Sequence, residues 1–251
     1  MVTEAIVVVV VLVAGAVTGV AGFGFALIGT MVLAGVLGPG AAVAFMILPI
    51  LAANLSLVRE LDRDAVVVCG RRFGPFVAAA FFGTLAGMAL LGVLPDEPMT
   101  AFLGALTLGF VAVSQEAVEI PFLGRAKEGC FVESNPGMVG VGGTSGVLFG
   151  ATNIGVQVIA YLRSCDLPQR VFVGVVGLVF VGINAVRVVA AGALGLYPEG
   201  VLVLSVAATV PAVAGVWVGR RLRPRIDERH QRRFVLGLLT VIGLRLVTSV
   251  A

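Results

Sequence analysis

Charge is scarce in this chain. Only 12% of its 251 residues are Asp, Glu, Lys or Arg, against about a quarter in soluble globular domains, whereas 59% are hydrophobic. The mean hydropathy of +1.10 means that apolar residues are not confined to one face of each helix. A bilayer-spanning helix needs about 20 apolar residues, and several such runs follow one another here. The sequence therefore predicts an all-α, polytopic integral membrane protein, a single membrane domain without a soluble module.

Residues that bind metals or act as general bases are also few. The one histidine, His230, lies in an arginine-rich stretch, and the three cysteines lack a CxxC spacing, so a typical metal ligand set cannot be assembled. Gly143-Thr144-Ser145-Gly146 matches the GxSG element of intramembrane serine proteases, but no predicted span offers the general base that such a serine needs. The sequence thus predicts no enzyme, no metal and no cofactor. The net charge of +3 does not indicate a nucleic-acid partner.

Two kinds of apolar segment can be distinguished. Six read as complete spans with Pro, Gly or Arg at their boundaries: 39–58, 74–94, 99–115, 170–190, 199–219 and 234–251. Two others, 5–37 and 138–162, are interrupted by glycines. Met1 to Glu4 lack the positive region of a secretory signal, so we expect the first apolar run to be retained.

The basic residues predict the topology. Fifteen of the 17 Lys and Arg residues fall in four loops, 59–72, 116–137, 163–170 and 220–233, and none falls in 95–98 or 191–198. The positive-inside rule places the four basic loops in the cytoplasm of a prokaryotic cell, with the chain in its cytoplasmic membrane. Segment 138–162 must then enter the membrane and return on the same side, although a single span remains the alternative. By the same reasoning, segment 5–37 is a hairpin entered from outside.

The two halves of the chain resemble each other. Residues 1–116 and 138–251, joined by a cytoplasmic linker at 117–137, each begin with a Gly-rich broken segment, and each next span carries an asparagine, Asn54 or Asn184. Equivalent loops have opposite charge, which is typical of inverted-topology repeats. We therefore predict six spans plus two re-entrant hairpins. Broken helices of such repeats meet near the midplane, where helix N-termini suit an anion.

Apart from Arg170, which begins the span 170–190, Arg187 and Arg245 are the only basic residues inside predicted spans. A charge at the bilayer centre costs about 2.5–3.5 kcal/mol on insertion scales, so both are candidates for attracting an anion. The alternatives are that Arg187 snorkels to the outer surface and that Arg245 pairs with a backbone carbonyl or a lipid phosphate. The one acidic residue within a predicted span, Glu199, is the first residue of 199–219, and none lies deeper in a span, which disfavours a cation as substrate.

Polar and Gly-rich positions of the broken segments complete the predicted substrate site. They either contact the anion or tie adjacent helices together, and the two asparagines could equally bond the broken backbone. The 142–146–150 glycine spacing predicts a smooth packing face. The candidates are Gly22, Phe23, Gly24, Asn54, Thr144, Ser145, Thr152, Asn153, Gln157 and Asn184.

Several motifs resemble the sulfite exporter TauE/SafE family. They are the Gly-rich first segment, G-V-G-G-T-S-G-V-L-F-G-A-T-N at 140–153, Tyr161-Leu162, and the tail at 219–239, so the resemblance covers nearly the whole chain. It implies a carrier for sulfite, sulfonates or related small anions. Family members often carry Gly-Gly-Gly or Gly-Pro at the broken helix, where 150–155 here reads G-A-T-N-I-G.

The prediction is a secondary transporter, in the export direction, of a small sulfur-containing anion by alternating access. A carrier for a small organic carboxylate and an anion-selective channel remain alternatives. The expected partners are the anion and the lipid bilayer. The sequence leaves open whether the chain forms a homodimer.

Overall fold

The computed structural model describes residues 2–59, 67, 71–91, 93, 95, 101, 105, 108–109, 135–164, 169–197, 200–226, 237, 240–241, 244 and 248. Within these residues the chain is all-α and contains no strand, which confirms the predicted class. The helices are α1 (Val2–Ala21), α2 (Phe25–Leu37), α3 (Pro39–Val58), α4 (Gly74–Leu91), α5 (Asn135–Thr152), α6 (Val156–Ser164), α7 (Gln169–Ala193) and α8 (Val201–Leu222), followed by a 3₁₀ turn at Arg223–Arg225.

Four of these helices, α3, α4, α7 and α8, are long and apolar enough to cross a membrane. They coincide with the predicted spans 39–58, 74–94, 170–190 and 199–219 to within a few residues. Pro39 starts α3 because proline is tolerated in the first helical turn, where its missing N–H is not needed. The predicted spans 99–115 and 234–251 and the linker at 117–137 fall mainly outside the described residues.

The first Gly-rich segment is a helical hairpin. Helix α1 ends at Ala21, and α2 starts at Phe25 after Gly22 and Gly24, which adopt φ of 84° and 106°. These conformations are easy only for glycine, so the helix breaks there. Position 24 faces Val17, and the more distant position 29 faces Ala14. The two helices therefore run antiparallel, and residues 22–24 form what we call the first tip.

The second Gly-rich segment also folds back. A Cβ at position 142 would overlap the backbone of Phe76, and the Tyr161 ring stacks on the Phe76 ring with centroids 4.8 Å apart. Both ends of segment 138–162 thus meet the same residue of α4. The turn between α5 and α6, residues 153–155, is the second tip, and Asn153 adopts a left-handed φ of 61°. The segment therefore folds back on itself, as the predicted hairpin requires, and is not one continuous span.

Glycines bring two pairs of helices to backbone contact. On α5 the predicted glycine face is confirmed, because a Cβ at any of its positions would overlap backbone atoms of α4. Small residues at four-residue spacing allow such approach in membrane helices. The same occurs between α1 and α8. The contacts are Gly142–Phe76, Gly146–Ala80, Gly150–Thr84, Gly15–Gly215 and Gly19–Gly219, so each pair of helices runs parallel.

The two tips lie towards opposite ends of the bundle. Helix α8 ends in Arg220 and Arg221 and is followed by Arg223, which define the basic end. There the Arg223 Nε donates a hydrogen bond of 2.9 Å to the carbonyl of Gly19, just before the first tip. The second tip instead bonds to Val43, near the opposite, N-terminal end of α3.

Candidate functional site

A small cavity lies between the two tips. Its walls are the first tip, the second tip, the α3 face at Ile50 and Asn54, and the α7 face at Val176 and Phe180. Its free volume is about 30 Å³, room for about two water molecules. The two Gly-rich segments, 5–37 and 138–162, therefore both contribute to one cavity. A small oxyanion would fit only after the surrounding side chains have moved.

The N-terminus of α2 forms one wall of this cavity. Residues 25–27, the first turn of the helix, line it. The first bond that closes the helix is donated by the N–H of Ile28 to the Gly24 carbonyl at 2.9 Å, and the N-cap residue Gly24 supplies no side-chain bond. The N–H groups before Ile28 thus have no partner inside the helix. Together with the helix dipole, they make this wall electropositive.

The second tip faces the cavity from the other side. The Asn153 Nδ2 donates to the Thr30 Oγ1 at 2.9 Å and to the Val43 carbonyl at 3.1 Å, which ties the tip to α2 and α3. Its Oδ1 is buried without a partner. Thr152 closes the end of α5, since its Oγ1 accepts the N–H of Ile154 at 3.1 Å. Asn153 and its neighbours are therefore held by side-chain hydrogen bonds at the point where the backbone hydrogen bonds of the helix are interrupted.

Asn54 and Asn184 make the same local bond. Each donates its Nδ2 to the carbonyl four residues earlier, at 2.9 Å and 2.8 Å. Asn54 lines the cavity beside Gly22 and Gly24, as does Phe23. Asn184 does not line it and instead accepts a hydrogen bond from Arg187.

Arg187 is fully buried in the bundle, so the snorkelling alternative is wrong. Its Nη1 donates to the Asn184 Oδ1 at 3.2 Å, and its Cζ lies 4.9 Å from the centre of the Phe149 ring. Phe149 also lines the cavity. A positive charge therefore lies one aromatic ring behind the cavity wall. Arg245 lies outside the described residues.

The remaining candidates are placed away from the cavity. Thr144 faces outward and bonds its own helix at Gly140 and Val141. Ser145 is buried with its hydroxyl unpaired, and the Gln157 Oε1 is also buried without a partner. Thr152 donates its hydroxyl to the Leu148 carbonyl. Their role in substrate binding stays a prediction.

Sequence reasoning did not find several residues at the site. Thr18 lines the cavity immediately before the first Gly-rich motif, and its hydroxyl is bound to the Ala14 carbonyl at 2.9 Å. Phe149 and Phe180 pack with ring centres 5.0 Å apart and close another wall. Phenylalanine is common in any apolar helix, so the sequence carries no signal that separates these two from core residues.

Apolar spanning helices and two hairpins whose tips line one cavity from opposite sides define a multi-pass membrane transport protein. The model of the sulfite exporter TauE/SafE family matches residues 7–246, nearly the whole chain. The chain therefore belongs to this family, which confirms the resemblance read from its motifs. No curated protein and no solved structure matches it.

Proposed function

We propose that the protein carries a small sulfur oxyanion or sulfonate across the membrane, with the cavity between the two tips as its substrate site. The observation that supports this most directly is the uncapped N-terminus of α2, whose first turn lines the cavity. Helix N-termini bind anions through free N–H groups and the helix dipole. Asn54 adds an amide N–H, since only one of its two is required for the bond to Ile50.

The surroundings strengthen this attraction. Aromatic and aliphatic side chains make up most of the cavity lining, so the local dielectric constant is low and the field of the helix N-terminus is little screened. Arg187 adds a positive charge behind Phe149. Asn153 positions the second tip through its bonds to Thr30 and Val43. A cation would meet the positive end of the helix and a buried guanidinium.

The size of the cavity favours a carrier over a channel. With room for about two waters, the cavity between the described residues is too small for a hydrated anion. We propose alternating access between two conformations, in which the halves 1–116 and 138–251 act as inverted repeats. The reciprocal helix contacts support this pairing, because each half supplies one glycine-lined helix to the other: α1 packs on α8 and α5 packs on α4.

Export is the proposed direction. If the basic end faces the cytoplasm of a prokaryotic cell, the inside-negative potential drives an anion outward, by about 2.3 kcal/mol per charge at 100 mV. Such transport needs no coupling ion. Uptake against the same potential would need protons or sodium.

Flux into proteoliposomes tests the proposal. Purified protein should move sulfite, thiosulfate or sulfoacetate with saturable kinetics and trans-stimulation, and acetate more slowly. Asn54→Leu should reduce this flux at least tenfold. Thr209→Val is the matched control, because the Thr209 hydroxyl bonds only within its own helix, to the Val206 carbonyl. Non-saturable flux would indicate a channel, and preference for acetate would indicate a carboxylate carrier. If no anion moves under either polarity, the proposed substrate class is wrong.

A further inference from the structure

The Arg187 side chain is a buried cation with unused donors. It is completely shielded from solvent, yet only its Nη1 has an acceptor, and Nε and Nη2 have no hydrogen-bond partner. A buried charge is strongly unfavourable unless an opposite charge and further hydrogen bonds compensate it. Within the part of the chain that the structure describes, Arg187 forms no ion pair with a carboxylate. The unused side of the guanidinium therefore lacks an anion.

Tyr197 offers a further unused donor beside it. Its hydroxyl is buried without a partner. The preceding residue, Leu196, donates its N–H to the Ala191 carbonyl at 3.0 Å, which holds Tyr197 at the turn of α7 that follows Arg187, and the phenol interacts electrostatically with the guanidinium. Burial raises the pKa of the Tyr197 phenol, and the charge of Arg187 opposes this rise only in part. The phenol therefore stays protonated at neutral pH and donates a hydrogen bond. Tyr197 packs against a buried apolar cluster that includes Ile47 and Met88.

Phe149 separates these donors from the cavity. The Arg187 Cζ lies 4.9 Å from the centre of its ring, and the same side chain forms part of the cavity wall with Phe180. A rotation of this single side chain would connect the two regions. The Phe149 ring makes one aromatic contact, with Phe180, and one cation–π contact, with Arg187. Such contacts are worth about 0.5–2 kcal/mol each and are weak enough to break during a transport cycle.

We propose that Arg187 and Tyr197 form a second binding position for the transported anion, which Phe149 separates from the cavity. The planar guanidinium presents Nε and Nη2 as an adjacent pair of donors, which matches two oxygens of one oxyanion, and the Tyr197 hydroxyl supplies a third bond. The ligand class is a small oxyanion such as sulfite or thiosulfate. This inference rests on the proposed anion transport and adds a second position to it.

Equilibrium binding of ³⁵S-labelled thiosulfate to the purified full-length protein in detergent tests the second position. The wild type should bind two anions per chain. Tyr197→Phe should weaken one of the two binding events about tenfold or more, because hydrogen bonds to charged groups are worth about 1.5–3 kcal/mol. The control is Tyr161→Phe, which removes the hydroxyl of the chain's other tyrosine, stacked on Phe76 away from Arg187.

Variants at Arg187 give an independent measurement. Arg187→Met should abolish one of the two binding events entirely. Arg187→Lys, which keeps the charge but loses the paired donors, should retain that binding event with at least tenfold lower affinity. If Arg187→Met does not fold, the lysine and Tyr197→Phe variants still decide the result.

Two outcomes separate failure of this inference from failure of the proposed function. If the wild type binds one anion, and Tyr197→Phe binds it as tightly as Tyr161→Phe, the second position does not exist and Arg187 has a structural role. Flux through the wild type and its loss in Asn54→Leu would be unaffected by that result. If the wild type neither binds nor moves any of the anions, the proposed function itself is wrong, and the second position is overturned with it.

Discussion

The backbone contact between α4 and α5 gives a sharp prediction for stability. A Cβ at position 146 would overlap the carbonyl oxygen of Ala80, whereas a Cβ at position 143, one turn earlier on the same helix, would meet nothing within 4 Å. Gly143→Ala and Gly146→Ala therefore make the same chemical change in the same helix. Both gain helix propensity of about 1 kcal/mol. Only Gly146→Ala must force two helices apart, at a cost of about 1–3 kcal/mol.

The two variants should consequently differ in thermal stability. A domain of 150–250 residues shifts its Tm by about 2–4 °C per kcal/mol, so Gly146→Ala should unfold about 2–12 °C below Gly143→Ala. Loss of the monodisperse peak on size-exclusion chromatography after heating in detergent measures this difference. Equal midpoints, or a lower midpoint for Gly143→Ala, would show that the helices do not meet at backbone distance along this face.

Three further predictions concern the second tip, an interhelical bond and the topology. Asn153→Ala should be about 1–2 kcal/mol less stable than Asn153→Gly in the same heating assay, because both lose the amide bonds but only glycine tolerates the left-handed φ; equal values would contradict this. Ser205→Ala should lose about 0.6–1.7 kcal/mol with its bond to α3, while Thr209→Val changes little. Cysteines introduced singly for Asp96 and Ile226 should react with an impermeant reagent in intact cells only at position 96, and labelling at 226 would refute the inverted-repeat arrangement.

Local chemistry allowed much of the fold to be predicted from the sequence. Pro39 and Gly74 mark helix starts, and the glycines at 22 and 24 mark a break, because these residues act on the backbone wherever they occur. The hairpin at 138–162 was predicted from the positions of the basic loops, because the order of loops along the chain determines which segments must return to the same side of the membrane. These features need no knowledge of which helix packs against which.

Which side chains form the site could not be predicted from local sequence patterns, because it depends on how the helices pack. The rotation of α7 decides whether Arg187 reaches solvent or packs on Phe149, and its neighbours decide that rotation. Tyr197 lies in a loop, where no periodicity reports which way a side chain points. The cavity itself combines α3 and α7 with both tips, so its lining could be predicted by segment but not by residue. Phe149 and Phe180 are visible as site residues only in three dimensions.

The glycine-lined contact between α1 and α8 also constrains how the protein assembles during synthesis. Helix α1 ends at Ala21 and α8 begins at Val201, so its packing partner emerges 180 residues later. At a synthesis rate of about 5–20 residues per second, roughly 10 to 40 s pass before α8 can pack on the small-residue face of α1. The α4–α5 pair forms earlier, because Leu91 and Asn135 are much closer in the chain. The first hairpin should therefore complete its packing later than the α4–α5 pair. In a nascent chain stalled before Val201, the small-residue face of α1 should be able to associate with other glycine-rich helices in the membrane.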